Sequence, residues 1–155
     1  MSGLTPGLFD RLLGDRGFRG RLTLEQLKDA VARDLEDLLN TRVALPVNTL
    51  DGWPACAASV VNYGLADIAG SCLSSIDDRK RICDDLRATI ERHEPRLSNV
   101  QASVEQLAGS VNRISFVITG VLQAQGVQEP INFDAVLQPS TLHYSIRRDT
   151  AGARP

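Results

Sequence analysis

Near Pro95 the hydrophobic rhythm of the chain changes. Up to about residue 92, apolar residues recur at steps of three and four, the spacing of a helix face. After Pro95 they alternate, the spacing of a strand. Helices followed by strands predict an α+β fold rather than a βαβ winding, with the N-terminal helices packed on one face of a small antiparallel sheet formed by the C-terminal half. Charge divides at the same place: residues 1–99 hold 13 Lys/Arg and 15 Asp/Glu, residues 100–155 only 4 of each.

The strongest helix signal spans Leu24–Leu39. Thr23 followed by Gln26 is a capping-box pair, and Leu22 with Leu27 can form a hydrophobic staple. Leu24, Leu27, Val31, Leu35 and Leu38 make the buried stripe, with Asn40 expected as a left-handed stop. A second helix is expected from Ile76 to about Arg92, capped by Ser75, with Asp77 and Asp78 favoured by the dipole in its first turn. Ile82, Leu86 and Ile90 form its stripe, joined by Ile76 or Cys83, and Pro95 stops it by disfavouring helical geometry at Glu94. Thr41–Pro54 reads as irregular, and Asn62–Gly70 as room for a short helical turn.

Strands are expected at Leu97–Val104, around Ile114–Thr119, at Ile131–Gln138 and at Leu142–Ile146, with Ala124–Pro130 as a hairpin connection. The chain then divides into an N-terminal segment (1–21), one α+β domain (22–146) and a polar tail (147–155).

With 155 residues and 43% hydrophobic content, one ordinary core needs no disulfide or metal staple. A net charge of −2 argues against a general nucleic-acid binder and leaves no polybasic membrane patch. The longest apolar run, Phe116–Leu122, is far short of the ~20 residues of a membrane span. The opening residues lack the charged start and apolar run of a secretory signal. Cys56, Cys72 and Cys83 are odd in number and form no Cys-x-x-Cys pair, which favours a reducing cytoplasm over a disulfide scaffold.

Catalytic patterns are thin. No phosphate loop, dinucleotide fingerprint or nucleophile elbow is present. A metal site from Cys83, His93 and a second cysteine would have unusual spacing, and a core-filling cysteine with a hydrogen-bonded histidine is the better account. Glu91, Glu94, Asp67 and Asp134 could serve as glycosidase carboxylates, but no spacing singles out a pair.

Glu94-Pro95-Arg96-Leu97 stands out at the helix-to-strand junction. A surface ion pair there would contribute about 0–1 kcal/mol. The sharper reading is a docking corner, in which proline stiffens the junction and arginine offers a planar fork of donors to another protein. Leu8, Phe9, Leu12 and Leu13 form a short amphipathic stretch, too short to be stable without a surface to dock on. A small sheet also leaves an edge able to accept a strand from a neighbour, here expected from about Ile131–Ile146.

Glu94-Pro95-Arg96-Leu97, Val31-Ala-Arg-Asp-Leu-Glu-Asp-Leu-Leu-Asn-Thr-Arg42, Asn62-Tyr-Gly-Leu-Ala-Asp67 and Leu8-Phe-Asp-Arg-Leu-Leu13 together resemble the TssE family, baseplate subunits of the bacterial type VI secretion system. That family is similar to the "lysozyme-like" baseplate wedge protein of contractile phage tails. One departure is Ala66, where many relatives carry proline. The resemblance implies a structural role without catalytic residues, cofactor or metal. It implies wedge partners (TssF, TssG, TssK), sheath partners (TssB, TssC), no nucleic acid and no direct membrane insertion. The implied setting is the cytoplasmic, inner face of the cell envelope. Glu94, Pro95 and Arg96 are then the partner-binding candidates from the family signature, with Leu8, Phe9 and Leu12 from the N-terminal segment. A peptidoglycan-cleaving hydrolase is the alternative.

Overall fold

The computed structural model describes residues 4–13, 22–46, 48–105 and 113–148. Among these residues, four α-helices precede four strands: α1 (Leu8–Leu13), α2 (Leu24–Asn40), α3 (Pro54–Ala57), α4 (Ile76–His93), β1 (Leu97–Glu105), β2 (Ile114–Ala124), β3 (Val127–Gln138) and β4 (His143–Arg148). The strands form one antiparallel sheet in the order β1-β2-β3-β4, so the fold is α+β as the change of period predicts.

α2 begins as its sequence dictates. The Thr23 hydroxyl accepts from Gln26 N–H at 3.2 Å, and the Gln26 carboxamide oxygen accepts from Thr23 N–H at 2.9 Å. Leu27, Val31, Leu35 and Leu38 are buried, with Ala30 and Leu39 beside them. On α4 the buried stripe is Ile82, Cys83, Leu86 and Ile90, whereas Ile76 is 76% exposed. These faces meet Phe116, Ile118, Leu122, Phe133, Leu137 and Tyr144 of the sheet in a single core.

Several local expectations change. Asn40 is the last helical residue rather than a left-handed stop; the cap, Thr41, is extended. The Asn40 amide turns instead to the sheet, donating to Tyr144 O and accepting from Tyr144 N–H, each at 2.8 Å. The short helical turn lies at Val60–Asn62, ahead of most of the stretch expected to hold it. Gly64 sits beyond it at φ +121, where a Cβ would come within 2.5 Å of the Thr41 carbonyl oxygen, so only glycine lets the two backbones approach.

The β2–β3 connection shrinks to Gln125 and Gly126, both at positive φ, the signature of a two-residue type I′ turn. Glutamine is an unusual occupant of that position, which is why the sequence suggested a longer loop. Pro130 therefore stands inside β3, opposite Val121. β4 pairs only with Phe133–Gln138, so the proline removes no bond from that ladder. β1 carries a bulge, with Asn99 and Val100 set against Gly120, whose Cβ would lie 3.3 Å from Ser98 O.

The C-terminal edge expected to accept a partner strand is already occupied. β3 is internal over 133–138, and β4 is bonded along its outer side by α2, through Asn40 and through Glu36, which accepts from Ile146 N–H at 2.7 Å. β4 also runs two residues into the stretch assigned to the tail, where Arg148 pairs with Glu25 and Asp29. The remaining tail, 149–155, lies outside the described residues.

Candidate protein-interaction site

The helix-to-strand corner is built by conflict between two local rules. Glu94 N–H still completes the last turn of α4 on Ile90 O at 2.8 Å, but the residue itself leaves helical geometry ahead of Pro95. Leu97 N–H closes the turn on Glu94 O at 3.1 Å, and Arg96 O accepts from Gln123 N–H at 2.7 Å, where the sheet begins. Pro95 is exposed at the tip, and Glu94 is only 5% exposed beneath it.

Such a buried carboxylate is costly unless it is paired and hydrogen-bonded. Arg96 supplies both. Its Nε donates to Glu94 Oε1 at 2.7 Å, its Nη2 to Glu94 Oε2 at 2.6 Å, and its backbone N–H to Oε1 at 3.2 Å. Nη2 also donates to Asp34 Oδ2 on α2 at 2.6 Å. One guanidinium therefore ties α2 to the α4–β1 junction. Burial would lower the Arg96 pKa, but the bonds and charge of Glu94, then of Asp34, prevail and hold it above its ordinary value.

The corner is thus an internal brace, unlike the exposed ion pair considered from spacing. Asp34 of α2 completes it, a residue that no sequence motif singles out. Its partner is 62 positions away, beyond the reach of any helical or strand period. Arg96 Nη1 has no partner among the described residues, and the Arg96 side chain is 24% exposed.

His93 and Tyr63 flank the corner. Their rings meet edge to face at 5.3 Å, and His93 Nε2 lies 2.9 Å from Asn62 O. Burial pushes the His93 pKa below its usual value, against the opposing hydrogen bond to Asn62. Burial raises that of Tyr63, helped by the charges of Asp34, Asp37 and Glu94.

The N-terminal candidates form a separate group. Leu8 and Leu12, four residues apart on one side of α1, are 66% and 68% exposed. The Phe9 and Leu13 side chains lie outside the described residues. The segment is tethered through Leu4, which exchanges two backbone bonds with Leu22 at 3.0 and 2.8 Å, and through Thr5, bonded to the Gln125 amide.

The four carboxylates considered for glycosidase chemistry are dispersed in their bonding. Glu94 is clasped by Arg96, Glu91 sits 3.5 Å from Arg87, and Asp67 accepts from Ala69 N–H at 2.9 Å. Asp134 belongs to the sheet, opposite Val117 and Arg147. Of the conceivable metal ligands, Cys83 is buried in the core and His93 is engaged with Asn62. No group of three or more His, Cys, Asp or Glu among the described residues could hold a metal ion. No helix among them is long and apolar enough to cross a membrane.

The described residues thus form a four-stranded sheet backed by two helices, with Arg96 bracing α2 to the α4–β1 junction. The sequence model of the baseplate wedge protein gp25 family matches residues 25–127, well over half of the chain, and the chain belongs to that family. Its role is accordingly structural, in a phage-tail-like baseplate where it joins other baseplate components. No curated protein matches the chain.

Proposed function

We propose that this protein is the TssE-type subunit of a type VI secretion baseplate and acts without catalysing a reaction. In this reading it joins the wedge subunits TssF, TssG and TssK at the cytoplasmic face of the envelope. It also gives the first ring of the TssB–TssC sheath a template to which a strand can be added. The observation that carries the reading is the corner itself. Glu94 and Asp34 hold the Arg96 guanidinium in one orientation, so its unpartnered Nη1 can meet a carbonyl or carboxylate of a wedge partner without first losing side-chain freedom. Pro95 at the exposed tip and the Leu8, Phe9 and Leu12 segment supply the apolar contacts.

Arg96→Lys separates docking from folding. Lysine keeps the positive charge against Glu94 and Asp34 but lacks the forked donors. The variant should fold and retain about one tenth of wild-type affinity for the wedge subunits in a pull-down with purified components, the effect of losing one charge-assisted hydrogen bond. Wild-type affinity would remove the corner from the interface. Release of glycan from purified peptidoglycan by the wild-type protein would overturn the non-catalytic reading.

A further inference from the structure

Between Thr41 and Leu65 the chain leaves the core and returns to it. Val43 N–H donates to Leu65 O at 2.9 Å and Leu65 N–H to Thr41 O at 2.8 Å, which closes the base of the excursion. At its exit, Asn62 O meets His93 Nε2 of α4. Inside it, α3 packs on the helical turn at Val60–Asn62, and the Asn62 amide donates to Ala57 O at 3.0 Å. Trp53 N–H to Leu50 O and Ala57 N–H to Trp53 O, each 2.9 Å, order the approach to α3.

This order does not come from burial. Neither α3 nor the turn at Val60–Asn62 has a buried residue. Three of the seven large hydrophobic side chains exposed among the described residues stand here: Trp53 at 66%, Val60 at 83% and Val61 at 58%. Connections of this length are uncommon in compact domains and are usually functional. An ordered loop that displays apolar side chains has already lost the freedom that binding would otherwise cost.

Charge says what the surface suits. From Val43 to Asp78 the sequence holds no lysine or arginine, although the chain has 17, and its charges there are Asp51, Asp67, Asp77 and Asp78. Asp51 is exposed and stands just ahead of Trp53. An acidic surface repels anionic lipid headgroups and nucleic acid, both of which need basic groups. It complements a protein segment whose apolar residues are flanked by lysine or arginine. The three side chains expose roughly a few hundred Å², below the ~800 Å² per partner of a standard stable interface. That area fits a short segment better than a second copy of the chain.

We propose that the Trp53–Val61 excursion is a second docking surface, and that its occupant is a short apolar segment of a wedge subunit flanked by lysine or arginine. Trp53, Val60 and Val61 receive the apolar residues, and Asp51 faces the basic flank. That the partner is a wedge subunit rests on the baseplate reading above.

Trp53 is the single tryptophan of the chain, so 5-fluorotryptophan labelling of the full-length protein gives one fluorine NMR signal from the centre of the surface. On mixing with purified, unlabelled TssF, TssG and TssK, that signal should move and lose its sensitivity to exchange of H2O for D2O. Val60→Ser with Val61→Ser should leave the thermal melt unchanged, as for exposed sites, and weaken wedge binding about tenfold or more. Asp51→Lys should weaken it further at low salt than at high salt. Wedge binding with an unmoved signal, or with wild-type affinity in the valine variant, overturns the docking surface and leaves the baseplate reading standing. Failure of the wild-type chain to bind any of the three subunits overturns both. A signal that moves in the free chain as its concentration rises would make a second copy the occupant. One that moves on adding phosphatidylcholine vesicles, but not wedge subunits, would make it a membrane. Either result overturns the proposal.

Discussion

The corner at Glu94–Arg96 and the N-terminal helix α1 were both nominated as partner-binding from sequence, yet they are opposite physical objects. The corner is largely buried, braced by four hydrogen bonds from Arg96, and lies within the stretch that matches the wedge family. α1 leaves two leucines about two-thirds exposed and lies outside that stretch. The contrast teaches that a residue singled out by its sequence pattern can serve by fixing geometry, whether or not it touches a partner. Removing it then damages the fold before it informs on binding.

The largest effect should come from Arg96→Ala. It strands the Glu94 carboxylate in a buried site, and the loss should be about 3–5 kcal/mol in chemical denaturation. Replacing Glu94 and Arg96 together by leucine should cost clearly less than the two single leucine substitutions summed, because no unpaired charge remains. Additive losses would mean that the brace is not a coupled unit.

Tyr144 sharpens the same point with the opposite sign. Its hydroxyl is buried without a hydrogen-bond partner, the one such side-chain atom among the described residues, and burial pushes its pKa up to about 12. Tyr144→Phe should therefore be neutral or stabilising by up to about 1 kcal/mol, which a thermal melt can read.

A smaller effect concerns pH. The folded state holds the His93 pKa below its ordinary 6.5, so the unfolded chain binds the proton more readily. The His93 contribution is complete above pH 6.5 and declines as pH falls through that value. His93→Gln should flatten this part of the stability–pH profile. The smallest stability change should come from Leu8→Ser with Leu12→Ser: within about 0.5 kcal/mol in denaturation, as for exposed sites generally, while wedge binding weakens. A large loss of stability would place these leucines against their own domain.

Signals carried by neighbours in sequence were readable in advance. Thr23 with Gln26 announced α2, Ser75 with Asp77 and Asp78 announced α4, and alternation from Ile131 announced β3. What failed depended on distant parts of the chain. Asn40 looked like a helix stop because its true partner, Tyr144, lies 104 residues away, and nothing near Asp34 in sequence points to Arg96, 62 residues away. The covering of β4 by Asn40 and Glu36 was hidden for the same reason. Within the candidate site, Glu94, Pro95 and Arg96 could be named from sequence, but not the brace that gives them their rigidity.

The most direct trial of the structural role is sheath growth on assembled baseplates, counted by electron microscopy with and without this protein. Its omission should leave baseplates that start few or no sheaths, and adding back the wild-type chain should restore them. Sheaths that start equally well in its absence would contradict the account.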